Sequence, residues 1–163
     1  MTDRVRQLLE SLDRNRRDIR ALLLIVSSHD LRLATDSGWS VGELAAHIVQ
    51  IPRANLYVVA HLRFGTNATP PGLPSVVTDI GNYLAVRQLR HASLDELIAA
   101  LDQEHRALAD EVSMLSDVEL DRGGRVMALG RVTTEAYLRQ TPAHSAHHAA
   151  SLRRALRVNV RWR

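Results

Sequence analysis

Residues 141–152 read TPAHSAHHAASL, placing His144, His147 and His148 in one short run. On a helix of about 3.6 residues per turn, His144 and His148 stand one turn apart on the same face. That spacing is a common way to offer two imidazoles to a single metal ion. His147 is rotated by about 100° from His148 and is poorly placed to join the same coordination sphere. A third ligand must then come from elsewhere in the chain. His47, in GELAAHIV, is the best candidate, because its helical neighbours Leu44, Ile48 and Ile51 mark an inward face. A buried imidazole needs a partner, and a metal ion is one; a backbone carbonyl is another. His144, His147 and His148 would equally suit a solvated helix face. His29, His61, His91 and His105 have no comparable company and read as surface or structural histidines.

The elements that must position these side chains are helical. Val5, Leu8, Leu9, Leu12, Ile19, Leu22, Leu23 and Val26 recur at three and four residues, predicting an amphipathic helix over 3–28. WSVGEL at 39–44 holds a capping box, Ser40 with Glu43, inside a hydrophobic staple, Trp39 with Leu44. A second helix therefore starts at Ser40 and runs toward Phe64, with Pro52 a source of kinking. GTNATPPGLP at 65–74 is a loop, and a shorter helix is expected from about Val76 to Arg90. SLDE at 93–96 repeats the capping-box pattern and opens a helix carrying Leu94, Leu97, Ile98, Leu101, Leu108, Val112 and Leu115. The stretch 116–131 is compatible with a turn or a short hairpin. Thr133 or Thr134 caps a last helix to about Leu156, interrupted early by Pro142. The expected fold is all-α, a four-helix bundle whose long connection lets the second and third main helices run the same way.

Composition narrows the function classes. The 163 residues suit one domain, 1–163, with a real core. There is no cysteine, hence no disulfide framework, thiolate metal site or intrinsic nucleophilic thiol. The most apolar run, ALLLIV at 21–26, falls far short of the roughly 20 residues that span a bilayer. The N-terminus lacks the pattern of a signal peptide, so a cytoplasmic location without membrane attachment is expected. All the Lys+Arg residues are arginine, yet the net charge is only +3. The tail RRALRVNVRWR at 153–163 is basic, but basic residues also suit a helix C-terminus, and nucleic acid is not the expected partner.

GWSVGELAAHIV and TTEAYLRQTPAHSAHHAASLRRAL together resemble the DinB/YfiT-like superfamily. The similar branch includes mycothiol-dependent maleylpyruvate isomerases and bacillithiol or mycothiol transferases. There a Trp-Ser/Thr start opens the second helix and a histidine follows eight residues after the tryptophan, as Trp39 and His47 do here. The last helix carries His-x2-His-His, of which the first and last are ligands, matching His144 and His148. GNYLAVRQLRHASLDELIAALDQEHRAL is also similar and includes an asparagine typical of the branch, Asn82. The resemblance implies a DinB-type bundle with a three-histidine metal centre at one end, often in a homodimer. Pro142 so near the ligands is a departure, and the isomerase reaction itself is less expected, since the isomerases often carry an additional C-terminal domain.

Three neutral imidazoles leave an ion its full charge and an open position, the catalytic pattern. Zinc is the default divalent ion, with nickel, iron and copper also suited to imidazole. A low-molecular-weight thiol such as mycothiol at that position would attack an electrophile, giving a thiol S-transferase; the sulfur must come from a cosubstrate. Water there would give a hydrolase. A non-catalytic metal-binding bundle is the third reading. Glu43 and Glu135 are each consistent with helix capping, which leaves no strong general base. Asn82 and Arg87 are the candidate substrate contacts, arginine because its planar fork pairs with a carboxylate.

Overall fold

The computed structural model of the protein describes residues 1–68, 86–126 and 129–160. Four long helices carry the architecture: α1 Asp3–Leu24, α2 Val41–Leu62, α3 Leu94–Ser113 and, after a short helix α4 at Asp117–Asp121, α5 Thr134–Val160. A two-stranded antiparallel hairpin, β1 Gly123–Val126 and β2 Gly130–Thr133, lies between α4 and α5, with Gly123 opposite Thr133. The fold is the expected four-helix bundle.

Local sequence sets the helix boundaries. Ser40, Ser93 and Ser116 each accept from the backbone N–H three residues on, while Glu43, Glu96 and Glu119 reach back to the serine N–H. Each reciprocal pair satisfies two of the donors a helix start leaves free. The third box, SDVE at 116–119, is what turns the undecided 116–131 stretch into a helical turn followed by the hairpin. Thr133 caps α5 by accepting from the Ala136 N–H at 3.1 Å. α1 stops at Leu24, four residues before the expected end. Pro52 and Pro142 both lie inside continuous helices. The hairpin is tied to the chain leaving α2: the Ala68 N–H donates to the Arg125 carbonyl at 3.0 Å, and the Arg125 N–H to Asn67 Oδ1 at 2.9 Å. A Cβ on Gly124 would lie 2.1 Å from the Thr66 carbonyl oxygen, so only glycine permits that approach.

α1 and α2 each pack against α3 and α5. Two apolar clusters fix the directions. One holds Ile19, Leu22 and Leu23 of α1 with Val26 just beyond it, Val41, Leu44 and Ile48 among others of α2, Leu97 and Leu101 of α3, and Ala149 and Leu152 of α5. The other holds Val5, Leu8 and Leu12 of α1, Val59 of α2, Leu108 and Val112 of α3, and Leu138 of α5. α2 and α3 therefore both run from the first cluster to the second, while α1 and α5 run the opposite way. The parallel α2–α3 pair is what the long intervening connection permits, since a short loop would force antiparallel neighbours. The expected loop at 65–74 and short helix at 76–90 fall mostly outside the described residues; of them, 86–89 are helical and Val86 packs into the first cluster.

Candidate metal centre

His47 sits two turns into α2, within the first cluster, where Leu44, Ala45, Ala46 and Ile48 are fully buried around it. His144 and His148 project from α5 one turn apart. The structure brings the three together: one ring nitrogen from each lies within 4.8 Å of the others. Ring centroids are 4.7 Å apart for His47 and His148, 4.8 Å for His144 and His148, and 6.1 Å for His47 and His144. The burial is graded, with His47 buried, His148 half-buried and His144 exposed. Such a group opens to solvent on one side and is walled by apolar side chains on the other.

The donor set suits a divalent ion. Nitrogens bound at 2.0–2.1 Å in a tetrahedral arrangement stand about 3.4 Å apart. The triangle must therefore contract by about 1.4 Å at most, within reach of side-chain torsions at the exposed His144. Burial pushes His47 down to about 4, helped by the neighbouring His148 and His144. Burial likewise lowers His148 to about 4, with His144 and His147 adding to the shift, and it lowers His144. All three are thus neutral at pH 7, the form in which imidazole binds metal. Among the described residues this is the one group of three such side chains placed to share an ion.

Two further contacts brace the group. Trp39, the residue before the α2 cap, presents its ring to His47 at 5.0 Å between centroids and 75° between planes. Its carbonyl accepts from both the N–H and the hydroxyl of Thr35, at 2.9 and 2.8 Å. The same loop reaches α5 through Asp36, whose carboxylate accepts from the Ser151 hydroxyl and, at 2.8 Å, from Arg154 Nε. One loop therefore touches the helix of His47 and the helix of the histidine pair. Sequence reasoning found Trp39 as a staple residue but not its ring contact, and it missed Asp36; a short-range pattern carries no signal for either.

The remaining sequence candidates divide. His147 is exposed, stands outside the nitrogen triangle, and meets His148 edge to face with ring centroids 5.4 Å apart. Arg87 is exposed on the helical stretch 86–89, one residue from Val86, which packs into the first cluster. Asn82 lies outside the described residues. Glu43 is engaged in its capping box, accepting from the Ser40 N–H and hydroxyl at 2.9 and 3.0 Å. Glu135 accepts from Arg4 and Arg139, and the Arg4 contact lowers its carboxyl below the usual range. Neither acid is free to serve as a general base at the histidines.

No curated protein matches the chain in sequence. Among solved structures, a mycothiol-dependent maleylpyruvate isomerase superposes with a TM-score of 0.73 at 16% identity, over 93% of this chain and 63% of the isomerase. The chain thus spans less than two thirds of that enzyme's length. YfiT from Bacillus subtilis, described as a probable metal-dependent hydrolase with an unusual four-helix bundle topology, gives 0.74 at 17% identity, over 96% of this chain and 89% of its own. TT2238, described as a four-helix bundle protein, gives 0.64 at 22% identity, over 91% and 98%. At these identities the likeness establishes the fold. Sequence carries the family assignment: residues 3–152 match the profile of the DinB superfamily, and the chain belongs to that superfamily.

Proposed function

We propose that this chain is a metal-dependent thiol S-transferase, with His47, His144 and His148 holding a divalent ion, zinc by default, and mycothiol or a related low-molecular-weight thiol as cosubstrate. The convergence of three neutral imidazoles at a half-open end of the bundle carries the reading. An ion held there supplies Lewis acidity at its open position, lowering the pKa of a coordinated thiol.

The chain's own residues bind, orient and exclude water. His47 is fixed by its burial and by the Trp39 ring, so its ring nitrogen faces α5 without large rearrangement. His144 and His148 ride on one rigid helix, which fixes their spacing. The apolar wall of Leu44, Ile48 and Ala149 keeps the inner side of the site dry and strengthens electrostatic interactions there. No cysteine exists to act as nucleophile, so the attacking sulfur belongs to the cosubstrate. The exposed side at His144 would give the thiol's proton a way to solvent, while Glu43 and Glu135 are engaged in capping and ion pairs. Asn82 and Arg87 are the proposed substrate contacts, Arg87 through pairing with a carboxylate of the thiol or of its electrophile. The mycothiol-dependent isomerase among the similar structures supports this choice.

A hydrolase is the second reading, favoured by the likeness to YfiT over nearly the whole of both chains. It leaves the missing general base unanswered, whereas a thiolate needs none once formed. Metal-loaded protein is incubated with mycothiol, bacillithiol or glutathione and monochlorobimane. Conjugation faster than in the His144→Ala variant is expected. If no thiol reacts faster while esters or amides are cleaved, the hydrolase reading replaces it.

A further inference from the structure

Between the two apolar clusters the bundle carries a polar layer. Asn15 of α1 falls between Leu12 of one cluster and Ile19 of the other. Asn55 of α2 falls between Val49 and Val59, and His105 of α3 between Leu101 and Leu108. On α5 the same level is occupied by Thr141 and Ser145, between Leu138 and Ala149. Every one of these polar residues is buried, with Asn15, Asn55 and His105 only 7%, 5% and 4% exposed.

Part of the layer is satisfied by protein. Asn15 Nδ2 donates to the Pro142 carbonyl at 3.5 Å, and the Tyr137 hydroxyl donates to Asn55 Oδ1 at 2.7 Å. Among the described residues, three atoms of the layer have no protein partner: Asn15 Oδ1, Asn55 Nδ2 and His105 Nε2. They are an acceptor, a donor and a ring nitrogen that takes either role. Leaving each unpaired forfeits its hydration without compensation, and buried polar groups in folded proteins almost always find a partner. The prolines add to the demand. Pro52 and Pro142 lack the N–H that would otherwise serve the carbonyls of Ile48 and Leu138.

We propose that this layer is an internal water site, bridging Asn15, Asn55 and His105 across the bundle axis. A water accepts from Asn55 Nδ2 and donates to Asn15 Oδ1 and to His105 Nε2, the three bonds typical of a buried water. The three unpaired atoms belong to residues other than His47, His144 and His148, and the inference does not depend on the metal reading.

A crystal structure of the whole chain at about 1.5 Å tests it. Ordered water within hydrogen-bond distance of at least two of the three atoms is expected; direct pairing of those atoms in a dry layer overturns the inference. A double-mutant cycle on Asn15→Leu and His105→Leu adds a solution measure by urea unfolding. A shared water makes the two losses non-additive, by at least about threefold in the unfolding constant, and additive losses overturn the bridge. Should either variant fail to fold, NMR decides on the wild type. Long-lived water cross-peaks at the Asn55 side-chain amide are expected, and their absence overturns the site.

Discussion

Trp39 meets His47 edge to face, with ring centroids 5.0 Å apart, although eight residues separate them. The helix start makes the contact: Ser40 caps α2, the tryptophan folds back over its first turns, and His47 stands two turns in. The contact restricts the torsions of the most buried imidazole of the triangle. Trp39→Leu keeps an apolar residue at the staple position but removes the ring wall. Competition titration should show metal affinity lowered about 10-fold, the lower edge of what outer contacts to metal ligands are worth. Unchanged affinity would reduce Trp39 to a packing residue.

The two histidine classes on α5 should separate cleanly. His144→Ala removes a corner of the triangle and should abolish binding of about one ion per chain by elemental analysis. His147→Ala should retain it, because His147 lies outside the triangle. Equal loss in both variants would refute the ligand set.

Much of this site was legible because its signals are local. Ser40 with Glu43 fixes where α2 begins, and that phase turns His47 inward. The interval of four on α5 aligns His144 with His148. Convergence of the two helices is not local; the inward phase of His47 made it the candidate third ligand, and the superfamily resemblance implied the same set. Asn15 and Asn55 show the opposite case. Both occupy the apolar stripe of their helices, Leu8-Leu12-Asn15-Ile19 and Ile48-Ile51-Asn55-Val59. A polar residue in phase with the core was the available signal for the buried layer. His105, grouped with surface or structural histidines, is one of its members, in phase with Leu101 and Leu108. The hairpin stayed one of two options for 116–131 because four-residue strands offer too short a pattern, and its anchor to Asn67 and Ala68 is distant in sequence.

Acid should destabilise the metal-free protein well before its carboxylates titrate. Burial pushes His105 down to about 4, with Arg16 lowering it further against the opposing pull of Asp102 and Asp13. The unfolded chain binds that proton near pH 6.5, the folded chain only near 4. Between those values the unfolded state holds more protons, so stability falls as pH drops. For His105 alone the loss is on the order of 2–3 kcal/mol. Urea unfolding in chelator at pH 7 and pH 4.5 checks this, with His105→Gln expected to lose less than wild type over the interval. An equal loss in both would assign the acid sensitivity elsewhere.

Removing metal should lower stability in proportion to the ion's occupancy. An ion bound only to the folded state at about 100 times its dissociation constant adds about 2.7 kcal/mol. Because His47 is embedded among core residues, the metal-free chain should still fold, and its Tm should drop without loss of helical circular dichroism. Unfolding on chelation would mark the ion as structural.

The end of α1 carries the argument for assembly. Leu22, Leu23 and Val26 of the ALLLIV run are buried in the bundle, but Leu24 and Ile25 are 58% and 71% exposed. Two adjacent large aliphatic side chains at a helix end, beyond what the core stripe needs, are surface that a second copy can cover. A two-fold contact is the commonest closed arrangement and would place the same pair on both partners. A homodimer is therefore expected, with light scattering giving twice the 18.2 kDa chain mass. Leu24→Glu with Ile25→Glu should shift the population toward monomer while leaving the helical spectrum intact, because neither side chain supports the core. A monomer mass for the wild type across a wide concentration range would refute the dimer. A dimer that survives both substitutions would move the interface to another helix face.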